Sequence, residues 1–140
     1  MIKEMLFVKE MLAVGLGGFV GSALRYAVGR WLNPGGRFDL GHLLGSGFPW
    51  GTLMVNVVGC LLMGLLMGLA GRGNLAGAIS PELRLLLTAG FCGGFTTFSA
   101  FMGENLSMVR AGEFVPLAIY IAASLLLGFA AVALGWWLTK

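Results

Sequence analysis

Polar and apolar residues segregate along this chain on the scale of whole helices. Four runs are almost free of charge, at about 11–32, 50–70, 83–108 and 114–138, and polar or Gly-rich stretches separate them. Each run supplies the roughly 20 residues that a helix needs to cross a bilayer core. Between Trp50 and Ala70, and between Leu85 and Gly103, there is no charged residue at all. Turn chemistry stands at the joints. Asn33-Pro34-Gly35-Gly36 closes the first run and Gly71-Arg72-Gly73-Asn74 the second. Ser80-Pro81-Glu82 opens the third with a capping hydroxyl, a proline for the first turn and an acid near the positive helix end. Arg110-Ala111-Gly112-Glu113 marks the last turn before the fourth run. The pattern predicts an all-α integral membrane protein with one membrane domain over residues 1–140, residues 33–49 forming a loop with a surface helix.

Composition supports the bilayer. The 140 residues are 58% hydrophobic and only 11% charged, with a mean hydropathy of +0.90. A soluble domain carries roughly a quarter charged residues. The first run is read as a retained helix, not a cleaved leader, because Glu4 and Glu10 interrupt its basic start and the apolar stretch continues past Arg25 to Leu32. Glycine is abundant, with 24 residues. Gly17-xxx-Gly21, Gly64-xxx-Gly68 and Gly90-xxx-Gly94 are pairs of the kind that bring membrane helices close. So much glycine suits a tight bundle rather than a wide pore, so a polar pathway is expected between subunits of an oligomer.

The charges exclude some functions. A net charge of +3 with no basic cluster makes no nucleic-acid surface. Cys60 and Cys92 lie in apolar runs as small hydrophobes, and His42 has no Cys or His nearby to share a metal. Four spans put both termini on one side, with Lys3, Lys9, Arg72, Arg84 and Lys140. The other side holds Arg25, Arg30, Arg37 and Arg110. Insertion is oriented by a bias in such counts, and here the bias almost vanishes. The expectation is insertion in both orientations and an antiparallel pair about a two-fold axis in the membrane plane.

Polar groups inside apolar helices are the candidate functional residues, because lipid cannot satisfy them. Asn56 is one, as interhelical glue or as a donor to a polar species; Thr52 shares its face. The stretch Gly90-Phe91-Cys92-Gly93-Gly94-Phe95-Thr96-Thr97-Phe98-Ser99-Ala100-Phe101 is another. Its adjacent glycines and threonines favour a break in the third helix, and a break frees carbonyl oxygens of the sort that bind Na⁺ in broken-helix transporters. A continuous but kinked helix is the alternative. Phe98 and Phe101, at i and i+3, share a face either as core packing or as positive ring edges for an anion. Tyr120 and Ser124 form a polar stripe on the fourth span that Gly128 continues without a side chain. Arg25 either snorkels to the interface or gathers anions at a vestibule mouth.

Three of these segments together resemble a known family. Gly17-Gly18-xx-Gly21-Ser22-xx-Arg25-Tyr26, Gly51-Thr52-Leu53-Met54-Val55-Asn56-xx-Gly59-Cys60 and the Gly90–Phe101 stretch look like the signatures of the Fluc, or CrcB, fluoride channels. They occur in the family order over nearly the whole chain. The resemblance implies an antiparallel dual-topology homodimer with two fluoride pores. It also implies one structural Na⁺ at the dimer centre, held by main-chain oxygens of the broken helix at Gly93 and Thr96. Asn56 would then donate to fluoride. Phe98 and Phe101 would line the path, with Thr97 and Ser99 in the break region and Tyr120 and Ser124 extending the polar track. Ala100 and Gly128 depart from the family pattern, each removing a potential donor. A small multidrug-type proton antiporter is the nearest rival, but it needs an acid within a span, and Glu82, Glu104 and Glu113 are read here at helix ends. A purely structural membrane protein is a second rival. No Ser/His, Cys/His or paired-carboxylate set suggests an enzyme.

Overall fold

A computed structural model describes residues 2–32, 48–71 and 79–140 of the chain. Residues 33–47 of the predicted 33–49 loop, with His42 and Arg37, and residues 72–78 lie outside the described residues. The described chain is helical: α1 (Ile2–Leu32), α2 (Trp50–Gly71), α3 (Pro81–Leu85), a π-helical segment (Leu86–Cys92), α4 (Gly93–Phe95), α5 (Phe98–Ala111) and α6 (Phe114–Thr139). Elements α3 to α5 form one bent third span, so four helices are long and apolar enough to cross a membrane.

The expected boundaries hold at α2 and α6 within a residue or two. At the N-terminus the helix begins nine residues before the predicted start, at Ile2 rather than about 11. Hydropathy marked where lipid begins, but Lys, Glu, Met and Leu are good helix formers and carry the helix on into water. At 31 residues, α1 is about 46 Å long and overruns a hydrocarbon core of about 30 Å. The third span opens as its sequence predicts: the Leu83 amide donates to the Ser80 hydroxyl at 3.2 Å, behind Pro81 in the first turn. It closes at Gly112, whose φ of 74° is the left-handed conformation that ends a helix at least cost to glycine.

Glycines position the helices. A Cβ on Gly17 would collide with the Leu86 carbonyl, and one on Gly21 with the Phe91 carbonyl. One on Gly94 would come within 2.5 Å of the Gly18 oxygen. So α1 lies backbone to backbone against the π-helical segment and α4. The same device joins α2 to α6, where Gly64 faces the Val132 carbonyl and Gly135 the Leu61 carbonyl. All three predicted glycine pairs are therefore packing contacts. The outward surface is apolar, with Phe19, Leu126, Phe129 and Trp137 exposed. The small core holds Phe48, Leu53, Phe101, Met108 and Tyr120.

Substitution should separate these glycines. Gly21→Leu is expected to remove at least the 1–3 kcal/mol or so typical of overpacking, seen as loss of monodisperse protein in detergent. Gly15→Ala, with nothing near its Cβ, should leave the thermal midpoint unchanged or raise it.

Candidate functional site

The break in the third span falls two residues beyond the adjacent glycines expected to cause it. Gly93 is helical, with φ −64° and ψ −37°. The chain leaves the helix at Thr96 (φ −82°, ψ 159°) and Thr97 (φ −150°, ψ 120°). Gly94 is used for close approach to α1 instead. Ahead of the break the helix is already widened: the Gly93 amide donates five residues back, to the Thr88 carbonyl.

Each backbone group set free there has to find a partner, because lipid offers none. Asn56 takes two of them. Its Oδ1 accepts from the Thr97 amide at 2.7 Å, and its Nδ2 donates to the Thr97 carbonyl at 3.1 Å. The Thr96 hydroxyl donates to the Cys92 carbonyl at 2.9 Å. The Thr97 hydroxyl accepts from the Ala100 amide at 3.2 Å and so caps α5. Arg25 neither snorkels nor hangs free: its Nε donates to the Gly94 carbonyl at 3.0 Å, across 69 residues of sequence. The amide that would have closed the next turn onto Gly93, that of Thr97, is committed to Asn56.

Two cavities meet at Thr97. One, of about 380 Å³, lies between Arg25, Tyr26 and Arg30 of α1 and Gly51, Thr52 and Val55 of α2, with Thr97 and Ala100. The other is a groove of about 260 Å³ lined by Asn56, Cys60, Thr96, Thr97, Phe98, Phe101, Ser124 and Leu125. The groove thus gathers six of the predicted residues, Asn56, Thr96, Thr97, Phe98, Phe101 and Ser124. Phe98 is 71% exposed and Phe101 only 7%, with ring centroids 6.1 Å apart, so the pair spans the groove from outer face to core. Ser124 Oγ is buried with no hydrogen-bond partner among the described residues. Among the described residues, no basic side chain lines the groove.

Of the other four predicted residues, Arg25 lines the neighbouring cavity and three lie elsewhere. Tyr120 is wholly buried against Phe101, at 5.0 Å between centroids, beneath the groove rather than on its wall. Ser99 is exposed, its hydroxyl 3.3 Å from that of Thr97. Gly93 is exposed on the outer surface of the break. Ala100 lines the Arg25 cavity, so its missing hydroxyl is not taken from the groove.

Glu104 is the residue that sequence reasoning misplaced. It was read at a helix end, yet it sits midway along α5 and inside the third span. Thr52 donates to its Oε1 at 2.6 Å and Tyr120 to its Oε2 at 2.6 Å. The signal was present: Glu104 follows Phe101 by one turn on the inward face, and the next helix stop is Gly112. Ending the run near residue 108 put Glu104 in its last turn and hid it. The absence of an intramembrane acid therefore cannot separate this chain from a proton antiporter.

Comparison with known proteins makes that separation. The pattern of the CrcB-like protein family, Camphor Resistance (CrcB), matches residues 12–136. The chain belongs to this family. A fluoride-specific ion channel FluC from Rhizobium johnstonii is 50% identical over 126 residues, covering 90% of this chain and 92% of the relative. One from Rhizobium etli is 52% identical over 122 residues, covering 87% and 89%. One from Chlorobium phaeobacteroides is 43% identical over 130 residues, covering 93% and 92%. This is a family of ion channels and not of enzymes, and its member here is a multi-pass membrane protein.

The clamp at the break is testable. Asn56→Leu keeps the branching at Cγ but leaves the Thr97 amide and carbonyl unpaired, at about 1–3 kcal/mol for each. A clear fall in the thermal midpoint in detergent is expected. Ser124→Ala, which removes a hydroxyl without a partner, should not lower it.

Proposed function

We propose that the chain is a passive, fluoride-selective channel that lets cytoplasmic fluoride leave down its electrochemical gradient. The observation that carries the reading is the groove at the break. It sets the Asn56 amide, the Thr97 hydroxyl and the unpartnered Ser124 hydroxyl beside two phenylalanines, with no lysine or arginine among its described lining residues. A small anion needs donors to replace its water, but a full cationic charge would hold it too tightly to release. Hydroxyl and amide donors together with the positive edges of Phe98 and Phe101 suit that balance. Asn56 spends one amide hydrogen on Thr97, which leaves the second for fluoride. Chloride is larger, and a narrow path discriminates by size. Arg25 and Arg30 line the neighbouring cavity, where their charge raises the local anion concentration. An inside-negative potential expels a monovalent anion with about 2.3 kcal/mol per 100 mV, so no other energy source is required. The relatives are bacterial, and an inner membrane supplies that potential.

The path takes shape in an antiparallel homodimer embedded in lipid. The groove of one chain is open on the side where Phe98 is exposed, in the middle of a span. A second copy in the opposite orientation would close it, consistent with the balanced loop charges. Gly93 is exposed at the same break, and its carbonyl has lost the Thr97 amide to Asn56. Carbonyl oxygens suit a hard cation, and those of Gly93 and Thr96, doubled by the two-fold axis, would hold one Na⁺ at the dimer centre. That ion would offset the exposed carbonyl dipoles.

Liposomes loaded with fluoride or chloride test the function. Fast fluoride efflux with little chloride is expected; no fluoride efflux from a folded dimer would leave a structural membrane protein. Phe101→Ile is expected to slow fluoride. Ser124→Ala should slow it by about tenfold, the scale of one hydrogen bond to an ion. Membrane-impermeant labelling of a cysteine added at the C-terminus tests the arrangement. Half of the sites should label from each face, and one-sided labelling would rule out antiparallel pairing.

A further inference from the structure

Gly128 follows Tyr120 and Ser124 on one face of α6, at i+8 and i+4 respectively. It is buried, so the polar stripe meets neighbouring protein there without presenting a group of its own. A Cβ built on Gly128 would meet one described atom within 4 Å, the Sγ of Cys60 at 3.6 Å. Cys60 comes from α2, one turn beyond Asn56, and lines the groove with Asn56, Thr97 and Ser124. Its thiol is free. The position at which α6 lacks a side chain is therefore faced by a polar atom from the opposite wall.

We propose that the Cys60 thiol is a donor in the fluoride path, supplying from α2 the group that Gly128 does not supply from α6. The inference rests on the fluoride-channel reading above. Asn56 and Cys60 then present donors on successive turns of α2, and Ser124 faces them from α6. Fluoride leaving Asn56 and Ser124 meets an S–H beside Gly128 rather than a bare apolar wall. A thiol donates weakly. That strength suits the end of a path, where the ion has to leave as readily as it arrived. The glycine gives the larger sulfur its room.

Three variants in liposomes, each first shown to be a folded dimer, test the assignment. Serine and alanine are close in size, so comparing them at position 60 isolates the donor from the packing. Cys60→Ser is expected to keep fluoride efflux near that of the unmodified protein. Cys60→Ala should lower it by about tenfold, the factor associated with one hydrogen bond to an ion. Adding Gly128→Ser to Cys60→Ala should restore most of the rate, because the hydroxyl returns from the other wall. Equal efflux from the Ser and Ala variants, whether both fast or both slow, would reduce Cys60 to a packing residue and overturn the proposal. So would a double variant no faster than Cys60→Ala. Efflux missing from the unmodified protein as well would instead overturn the channel reading on which the proposal stands.

Discussion

The two hydrogen bonds between Asn56 and Thr97 are what the rest of the structure depends on. A helix crossing lipid satisfies its own backbone, and interrupting it exposes amides and carbonyls that the surroundings cannot pair. Here the interruption is absorbed by side chains from two other helices. Asn56 of α2 takes both backbone groups of Thr97, and Arg25 of α1 takes the Gly94 carbonyl. Within the third span the Thr97 hydroxyl caps the Ala100 amide, and the Thr96 hydroxyl adds a second hydrogen bond to the Cys92 carbonyl. Held in this way, the break sets its polar groups along the groove.

The glycine contacts serve the same end. Arg25 reaches the Gly94 carbonyl because α1 lies directly on the third span, and it lies there because Gly17, Gly21 and Gly94 have no side chains to hold the two apart. Lipid supplies no hydrophobic drive to press helices together, so close backbone packing is the means available. On the other side Gly64 and Gly135 draw α6 against α2, bringing Ser124 opposite Asn56 in one groove.

Glu104 shows how a carboxylate is accommodated close to a path read as anionic. Both of its oxygens accept short hydrogen bonds, from Thr52 and Tyr120, and the Tyr120 ring shields it beneath Phe101. Thr52 also lines the Arg25 cavity, so the acid lies one hydrogen bond behind that wall. It joins α2, α5 and α6 through a half-buried polar cluster.

Local sequence determined four spans and the capping of the third by Ser80, and it marked a turn around Gly112, because those depend on length and on local backbone chemistry. It also marked Asn56, the threonines, the Phe pair and Ser124, since polar or aromatic groups in a charge-free run stand out one by one. Tertiary structure decided what each of them does. The break falls at Thr96 and Thr97 rather than at the glycines, and Gly94 serves instead for contact with α1. Arg25 became a partner of a carbonyl 69 positions away, and Tyr120 a buried donor to an acid that had been placed outside the span. Local sequence shows which groups are costly to bury, but a partner brought in from another helix decides how each is satisfied.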